Sequence, residues 1–588
     1  MKRNYNIIIC AISVMIGFSS CADFLEIKDK REIILEDFWS EKADVDNIVA
    51  GCYSAFQTDD VRKRMMIWGE FRSDNIMSGE NINSDANLFN ILKENITAKN
   101  DYTTWDGFYN VINRCNTVLK YAPDVAAKDP AFTEGDLRAT IAEVTALRSL
   151  AYFYLIRTFR DVPFSREAFT DDDQKMDLPA TPFKEVLNNL IVDLEEIKDD
   201  AVKRYPETKN RYQTGRITQD AIYAMLCELY LWAEDYDNCV KYADYVIKSK
   251  QEMEEEYRKS NDRSMNSSNK ALLETRLNGI PLVNDNLTGT RYGSAYKTIF
   301  CAENREAANR EVIFEINYDP NPSSSGLPSN KAVSSFYGNS TSRKGLVTAS
   351  SYIAGEIKEP TEKTLFEKNK EVLDARIYLN YDAESEAIVK LASSEINIDA
   401  SNASAPKATQ DRYSDGSNSS HWVIYRLPDV MLLKAEALCQ MMKDGSDAET
   451  TAYNKPLMEE AFRMVNVINK RAICKPNLQD ADTLKPADYS SKLQMTELVK
   501  RERQREFMFE GKRWYDLVRY AMRAGNTSEV IAAVGKRDDV NSQFAQNFFK
   551  KMDAIFWPYN YEEMKVNHNL NANPAFGSGE SNSYEKTN

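Results

Sequence analysis

Apolar residues recur at helical spacing over most of this chain. Residues 43–56 place Val45, Ile48, Val49, Cys52 and Phe56 on one face, and residues 102–119 do the same with Trp105, Phe108, Tyr109, Ile112 and Cys115. Residues 139–159 form a longer, more hydrophobic stretch that stops before Pro163, where the missing N–H and the ring disfavour further helix. More helices are predicted at 217–248, 425–442 and 459–472. Between about 251 and 420 the pattern gives way to runs such as NDRSMNSSN, NPSSSG and SDGSNSS, which read as loops. Residues 309–320, NREVIFEINYDP, are the exception, with the β-branched alternation of a strand. Residues 57–101, between the first two helices, read as another long loop, and loops on a rigid scaffold commonly carry binding residues.

Two of these helical stretches pair with a neighbour. Leu226, Tyr230, Trp232 and Tyr236, then Cys239, Ala243, Val246 and Ile247, approximate the tetratricopeptide spacing of aromatic and small residues, with a joint at 234–236. Residues 425–442 and 459–472 form a second such pair. A lone pair cannot bury its own face, so segments distant in sequence should stack into one superhelical core. Cys227 and Cys239 fall near the small positions where the helices of one unit touch, within the Cα separation that a disulfide needs. Two free, buried thiols is the preferred reading of that pair.

Residues 497–520, ELVKRERQREFMFEGKRWYDLVRY, concentrate charge beside aromatics around Gly511 and predict two helices meeting at a sharp corner. Such a run is ordinarily a solvated helix face with pairs at i,i+3 and i,i+4. Here the expectation is that Phe507 and Trp514 are buried and that Arg505 or Arg513 pairs with Glu506, Glu510 or a neighbouring helix's carboxylate, since a buried guanidinium needs a partner.

The chain starts with Lys2 and Arg3, continues with an apolar run at 7–18 that is far short of the ~20 residues a membrane span requires, and then reads Ser19, Ser20, Cys21. That is a signal peptide over 1–20. The net charge of −15 disfavours nucleic acid, which needs Lys and Arg to neutralise phosphates. The 31 Tyr and 7 Trp suit sugar recognition, in which the flat C–H face of a ring packs on an aromatic, although most will be core. Only His421 and His568 are present, and no CxxC, P-loop, GxGxxG or GxSxG occurs, so the common zinc, nucleotide and hydrolase signatures are missing and no cofactor is expected. A carboxylate pair for glycoside hydrolysis is a property of the fold and stays open. Residues 411–415 lack the EF-hand pattern and read as solvated loop rather than a cation site.

The run from Glu502 to Arg519 closely resembles a signature of the RagB/SusD family of outer-membrane nutrient-binding lipoproteins, ERxxEFxFEGxRWxDLxR. Residues 139–164 resemble the family's AxxxALRAxxYFxLxRxFGxVP pattern, with Arg160 where glycine is usual. Residues 309–320 resemble its ExIFEIxY motif and residues 555–574 its closing WPIPxxExxxNxxLxQNP. The small residues before Cys21 resemble a lipobox, with Phe18 and Ser20 departing from the usual leucine and glycine, and residues 22–27 resemble the start of mature members.

The resemblance implies a mainly α fold: a tetratricopeptide-like helical-pair superhelix with an inserted loop-rich subdomain containing short strands. Length alone suggests about four domains. The family implies one over 21–588, with the scaffold at about 36–250 and 421–574 and the insertion at about 251–420. It further implies a non-enzymatic protein, lipidated at Cys21 and facing outward from the outer membrane. Such a protein binds oligosaccharide and delivers it to a SusC-like TonB-dependent transporter. Peptide or glycopeptide binding in the same import system is the alternative within the family, and a surface glycoside hydrolase or an assembly scaffold the alternatives outside it. The candidate glycan contacts are Trp68 and Tyr102, with Arg72 and Asp74 between them, and Tyr292, Tyr296, Tyr337 and Trp422 in or beside the insertion.

Overall fold

In the computed structural model, the described residues are 38–171, 173–260, 277–285, 289–319, 328–353, 365–366, 374–402, 406–475 and 478–576. The predicted signal peptide and Cys21 lie outside them.

The predicted amphipathic stretches are helices, several longer than their periodic cores. They are α1 (Lys42–Gln57), α4 (Asp106–Lys128) and α5 (Glu134–Phe159), followed by α6 (Phe183–Ile197), α7 (Gln219–Trp232) and α8 (Tyr236–Ser260). After the insertion come α9 (Leu427–Met441), α10 (Ala448–Ala472), α11 (Lys492–Phe507) and α12 (Arg513–Ala524). Most pack on a chain neighbour, as α4 on α5 and α7 on α8, and α8 also packs on α9, so both ends of the chain share one hydrophobic core. Helix α5 has the length and apolarity of a membrane span, but most of it is buried against α4 and α6. Its N-terminus is fixed by a Thr133–Asp136 capping box, and its C-cap is Arg160 at φ 70, the position where the resemblance expects glycine. The strained cap is tied down by bonds from Arg160 to Asp161 and Asp553. Helices α7 and α8 bring Cys227 and Cys239 within 3.7 Å, Sγ to Sγ, as free thiols in a fully buried setting.

Residues 57–101 are not the open loop that their polarity suggested. They hold α2 (Asp59–Met66), a wide helical turn (Ile67–Phe71), strand β1 (Ile76–Ser78) and helix α3 (Ala86–Leu92). The arginines that gave α2 its surface character are inside: Arg62 donates to the Tyr318 hydroxyl (3.0 Å) and stacks 4.5 Å from the Trp422 ring, and Arg64 donates to the Thr104 carbonyl (2.6 Å).

The insertion contributes short antiparallel ladders. Strand β3 (Val312–Ile316) pairs with β7 (Trp422–Arg426), and β5 (Ser393–Asp399) lies between β2 (Arg291–Tyr292) and β6 (Lys407–Arg412). Strand β4 (Val347–Ala349) pairs with β1, so the insertion is stitched to the early segment through Ile76↔Ala349 and Ser78↔Val347.

The corner predicted at Gly511 is present and sits at the centre of the molecule. Gly511 has φ +72, and a Cβ there would lie 2.9 Å from the Trp422 ring. A Cβ on Gly69 would lie 1.9 Å from the Gly511 carbonyl, so the two backbones touch. Beside this contact the buried Glu70 carboxylate accepts from the backbone N–H of Phe509 (2.9 Å), Lys512 (3.1 Å) and Arg513 (3.4 Å), and from Asn75 Nδ2 (2.7 Å). Phe507 and Trp514 are buried as expected, and Trp514 donates to the Ile555 carbonyl.

The charges around the corner are inside and paired. Arg426 binds Glu506, Glu510 and Glu311, Arg503 binds Asp429 and Asp516, and Arg519 binds Glu436 and Asp516. Arg513 is paired through Asp74, while Arg505 reaches Glu502 only at 3.5 Å.

Candidate functional site

The eight residues chosen from sequence as ligand contacts fall on both sides of the seam between the early segment and the insertion, but seven are buried. Trp68 stacks on Phe108 with centroids 5.0 Å apart and donates to the Tyr102 carbonyl (2.8 Å). Arg72 binds Glu94 (2.8 Å) and lies 4.4 Å from the Trp514 ring. Asp74 accepts from Arg513 Nε (2.8 Å) and Nη2 (3.1 Å). Burial raises its carboxyl, but Arg513 and Lys536 outweigh burial and hold it well below the usual range. Tyr337 donates to the Phe509 carbonyl (3.2 Å), Tyr296 to Ser393 (3.0 Å) and Tyr292 to Gly289 (3.1 Å), while Trp422 packs on Gly511. Tyr102 alone is half-exposed, and its hydroxyl is bound to Asp85 (2.6 Å). Seven of these side chains hold the fold together and leave no face for a ligand.

The same two regions also form an open cleft of about 510 Å³, which none of these eight residues lines. Its floor is the β1–β4 ladder. Period-two alternation turns Ile76, Val347 and Ala349 inward and leaves Met77 and Thr348, a cross-strand pair, facing out. The ladder is pressed against the core by bonds from Ser350 to the Asp74 and Asn75 carbonyls. The tight crossing needs glycine at 345, where a Cβ would sit 2.0 Å from the Phe336 carbonyl.

One wall carries Lys344 between Glu80 (3.2 Å) and Glu386 (3.5 Å), with Tyr381 in the short hairpin behind them. On the opposite side Asp539 accepts from the Ser78 N–H and hydroxyl, both at 2.9 Å. Burial raises the Asp539 carboxyl, but Arg537 and the Ser78 donors bring it below the ordinary range. Next to it, Lys536 sits 3.9 Å from the ring of half-exposed Tyr352.

Paired charges and hydroxyls of this kind recognise a hydroxyl-rich ligand by hydrogen bonds. Nothing in the sequence pointed to them, because three-residue strands that pair about 270 residues apart have too few positions for a periodic signal.

Among the described residues, no group of His, Cys, Asp and Glu is placed to hold a metal ion. His421 is buried, accepts from the Tyr318 N–H through Nδ1, and is held neutral by burial, which lowers its pKa to about 4.

Comparison with known proteins fits this arrangement. A family model described as "SusD family" matches residues 297–576, and one described as "Starch-binding associating with outer membrane" matches residues 23–231. The chain is 24% identical to SusD-like protein P38 of Formosa agariphila, over 97% of this chain and 99% of that one. It superposes on a SusD superfamily protein of Bacteroides thetaiotaomicron with a TM-score of 0.61 at 19% identity, covering 92% of this chain and 99% of the other. A laminarin-binding SusD-like protein superposes with a TM-score of 0.57 at 17% identity, covering 91% and 99%. Surface glycan-binding protein A of Bacteroides uniformis gives 0.58 at 20% identity, covering 90% and 99%. With both parts of the helical scaffold, the insertion and the Gly511 corner in place, the chain belongs to the SusD/RagB family.

Proposed function

We propose that this protein captures an oligosaccharide in the cleft above the β1–β4 ladder and hands it to a SusC-like TonB-dependent transporter in the outer membrane. Family membership, which extends over nearly the whole chain, is the observation that carries this reading. Relatives of the same fold that are named for glycan and laminarin binding support the choice of ligand class. A lipid on Cys21 would keep the protein at the membrane and the cleft facing the medium. The work is affinity without chemistry: packing on the outward-facing Met77 and Thr348 and hydrogen bonds from groups whose charges are already balanced.

The test is calorimetry of the wild type and of Glu80→Ala, Lys344→Ala and Met77→Ala against a panel of neutral oligosaccharides that includes laminarin fragments. A bound sugar, with affinity reduced about tenfold in at least two variants at unchanged melting temperature, is the expected result. Binding that no cleft variant weakens would move the site elsewhere. Binding of peptides but of no sugar would favour the peptide alternative.

A further inference from the structure

A second, larger groove of about 850 Å³ lies between the first turns of α4, residues 163–169 and 174–178, and α13 (Tyr561–Val566). No residue of the sugar cleft lines it. Its walls are tied in place rather than loosely apposed. Asn113 bonds the Phe169 backbone in both directions (2.9 and 2.8 Å), Tyr109 donates to the Pro163 carbonyl (2.7 Å), and Asn567 donates to the Leu178 carbonyl (2.7 Å). The groove is therefore preformed, which lowers the ordering cost of filling it.

Its lining is mainly apolar, with Ile112, Phe169, Leu178 and Leu570 inside and two large side chains standing out at the rim, Met176 at 54% and Val566 at 72% exposure. Its aromatics are committed to the fold: Trp105 is buried among Tyr109, Phe159 and Tyr559, Tyr152 is buried, and half-buried Tyr109 gives its hydroxyl to the Pro163 carbonyl. The charges are one-sided: Asp106, Asp177 and Glu563 line the groove against Lys175 alone. Burial raises the Glu563 carboxyl, the Trp105 indole N–H partly offsets that, and Asp106 adds to it, as for an acid that lacks a cation beside it.

We propose that this groove is a docking site for an extended segment of a partner protein that sets large apolar side chains between Met176 and Val566 and Lys or Arg side chains against Asp106, Asp177 and Glu563. Apolar area supplies the affinity, and the acidic rim selects for basic neighbours and fixes orientation. The inference does not depend on the sugar reading, since the two sites share no residue.

The experiment presents the full chain with an array of short peptides varied in apolar content and in charge. It then measures the retained peptides against wild type, Met176→Asp, Val566→Asp and the double variant Asp106→Asn/Asp177→Asn. Retained peptides should combine Leu, Ile, Phe or Met with Lys or Arg. Each rim substitution should weaken them about tenfold or more without shifting the melting temperature, and the double variant should flatten the salt dependence. Retention without selectivity for basic apolar peptides, or affinity unchanged in both rim variants, overturns the proposal. Self-association that Val566→Asp abolishes would assign the groove to a second copy, and a neutral oligosaccharide that displaces the peptides would make it a sugar site. Either result also overturns the proposal.

Discussion

Glu70 is a carboxylate buried beside the Gly511 corner, where its partners are backbone N–H groups and one amide rather than a cation. Glu70→Ala removes the acceptor for Phe509 N–H at 2.9 Å and Lys512 N–H at 3.1 Å, and weaker or side-chain bonds from Arg513 and Asn75. Two good backbone bonds to a charged group contribute roughly 1.5–3 kcal/mol each, and relief of the buried charge offsets part of that, leaving a net loss of about 3–5 kcal/mol. Glu70→Gln keeps one acceptor oxygen but turns an NH₂ group towards N–H donors, so it should lose about half as much.

Urea unfolding followed by far-UV circular dichroism measures both variants against the wild type. Burial raises the Glu70 carboxyl above its usual value, despite the lowering effect of Asn75 and the backbone donors. Its proton therefore contributes stability that is complete below the unfolded value of about 4.5 and is lost as pH rises through the folded value. The lead of wild type over Glu70→Gln should accordingly narrow with rising pH. A Glu70→Ala protein that unfolds within about 1 kcal/mol of wild type would refute the view that this carboxylate holds the corner.

Arg426→Met should cost on the order of 3–5 kcal/mol or abolish folding, because Glu506, Glu510 and Glu311 would lose a shared buried cation; near-normal urea stability would count against the network. Acid should unfold the protein as pH falls from about 4.5 towards 2, because Lys512 and Arg503 overcome burial to bring Asp429 down to about 2, and Arg471, Arg426 and Arg376 hold Glu506 well below its usual value. Such groups stabilise above their unfolded values and cease to do so once protonated, so a flat stability profile from pH 5 to about 2 would contradict the pairing. Cys21→Ala should move the protein from the detergent phase to the aqueous phase on phase partitioning, and equal partitioning of both forms would remove the lipid anchor.

The scaffold was legible because long helices repeat their apolar positions many times, and the corner because Gly511 interrupts such a repeat with the conformation it favours. Residues 57–101 were not legible. Arg62 and Arg64 look like surface residues, and partners brought in by the fold, among them the Tyr318 hydroxyl, the Trp422 ring and the Thr104 carbonyl, make their burial tolerable. The ligand contacts failed for a related reason. Aromatic residue type favours the core more strongly than it marks a site, so Trp68, Tyr337 and Trp422 are buried rather than open to a ligand. The cleft depends on Glu80, Lys344 and Thr348, ordinary residues that only tertiary pairing places together.

The contact between Glu70 and the Phe509 backbone joins positions 439 residues apart, and Arg72 reaches still further, to the Ile555 carbonyl. Contacts this remote in sequence form late, after a long loop has closed. As the polypeptide is synthesised, its first helices can collapse locally, yet Glu70 and Asp74 must wait in water for partners that come only after residue 508. Completion of this contact is in this way a checkpoint on full-length synthesis: a chain cut short before residue 509 leaves Glu70 without its backbone donors and Asp74 without Arg513, and so stays open to proteolysis.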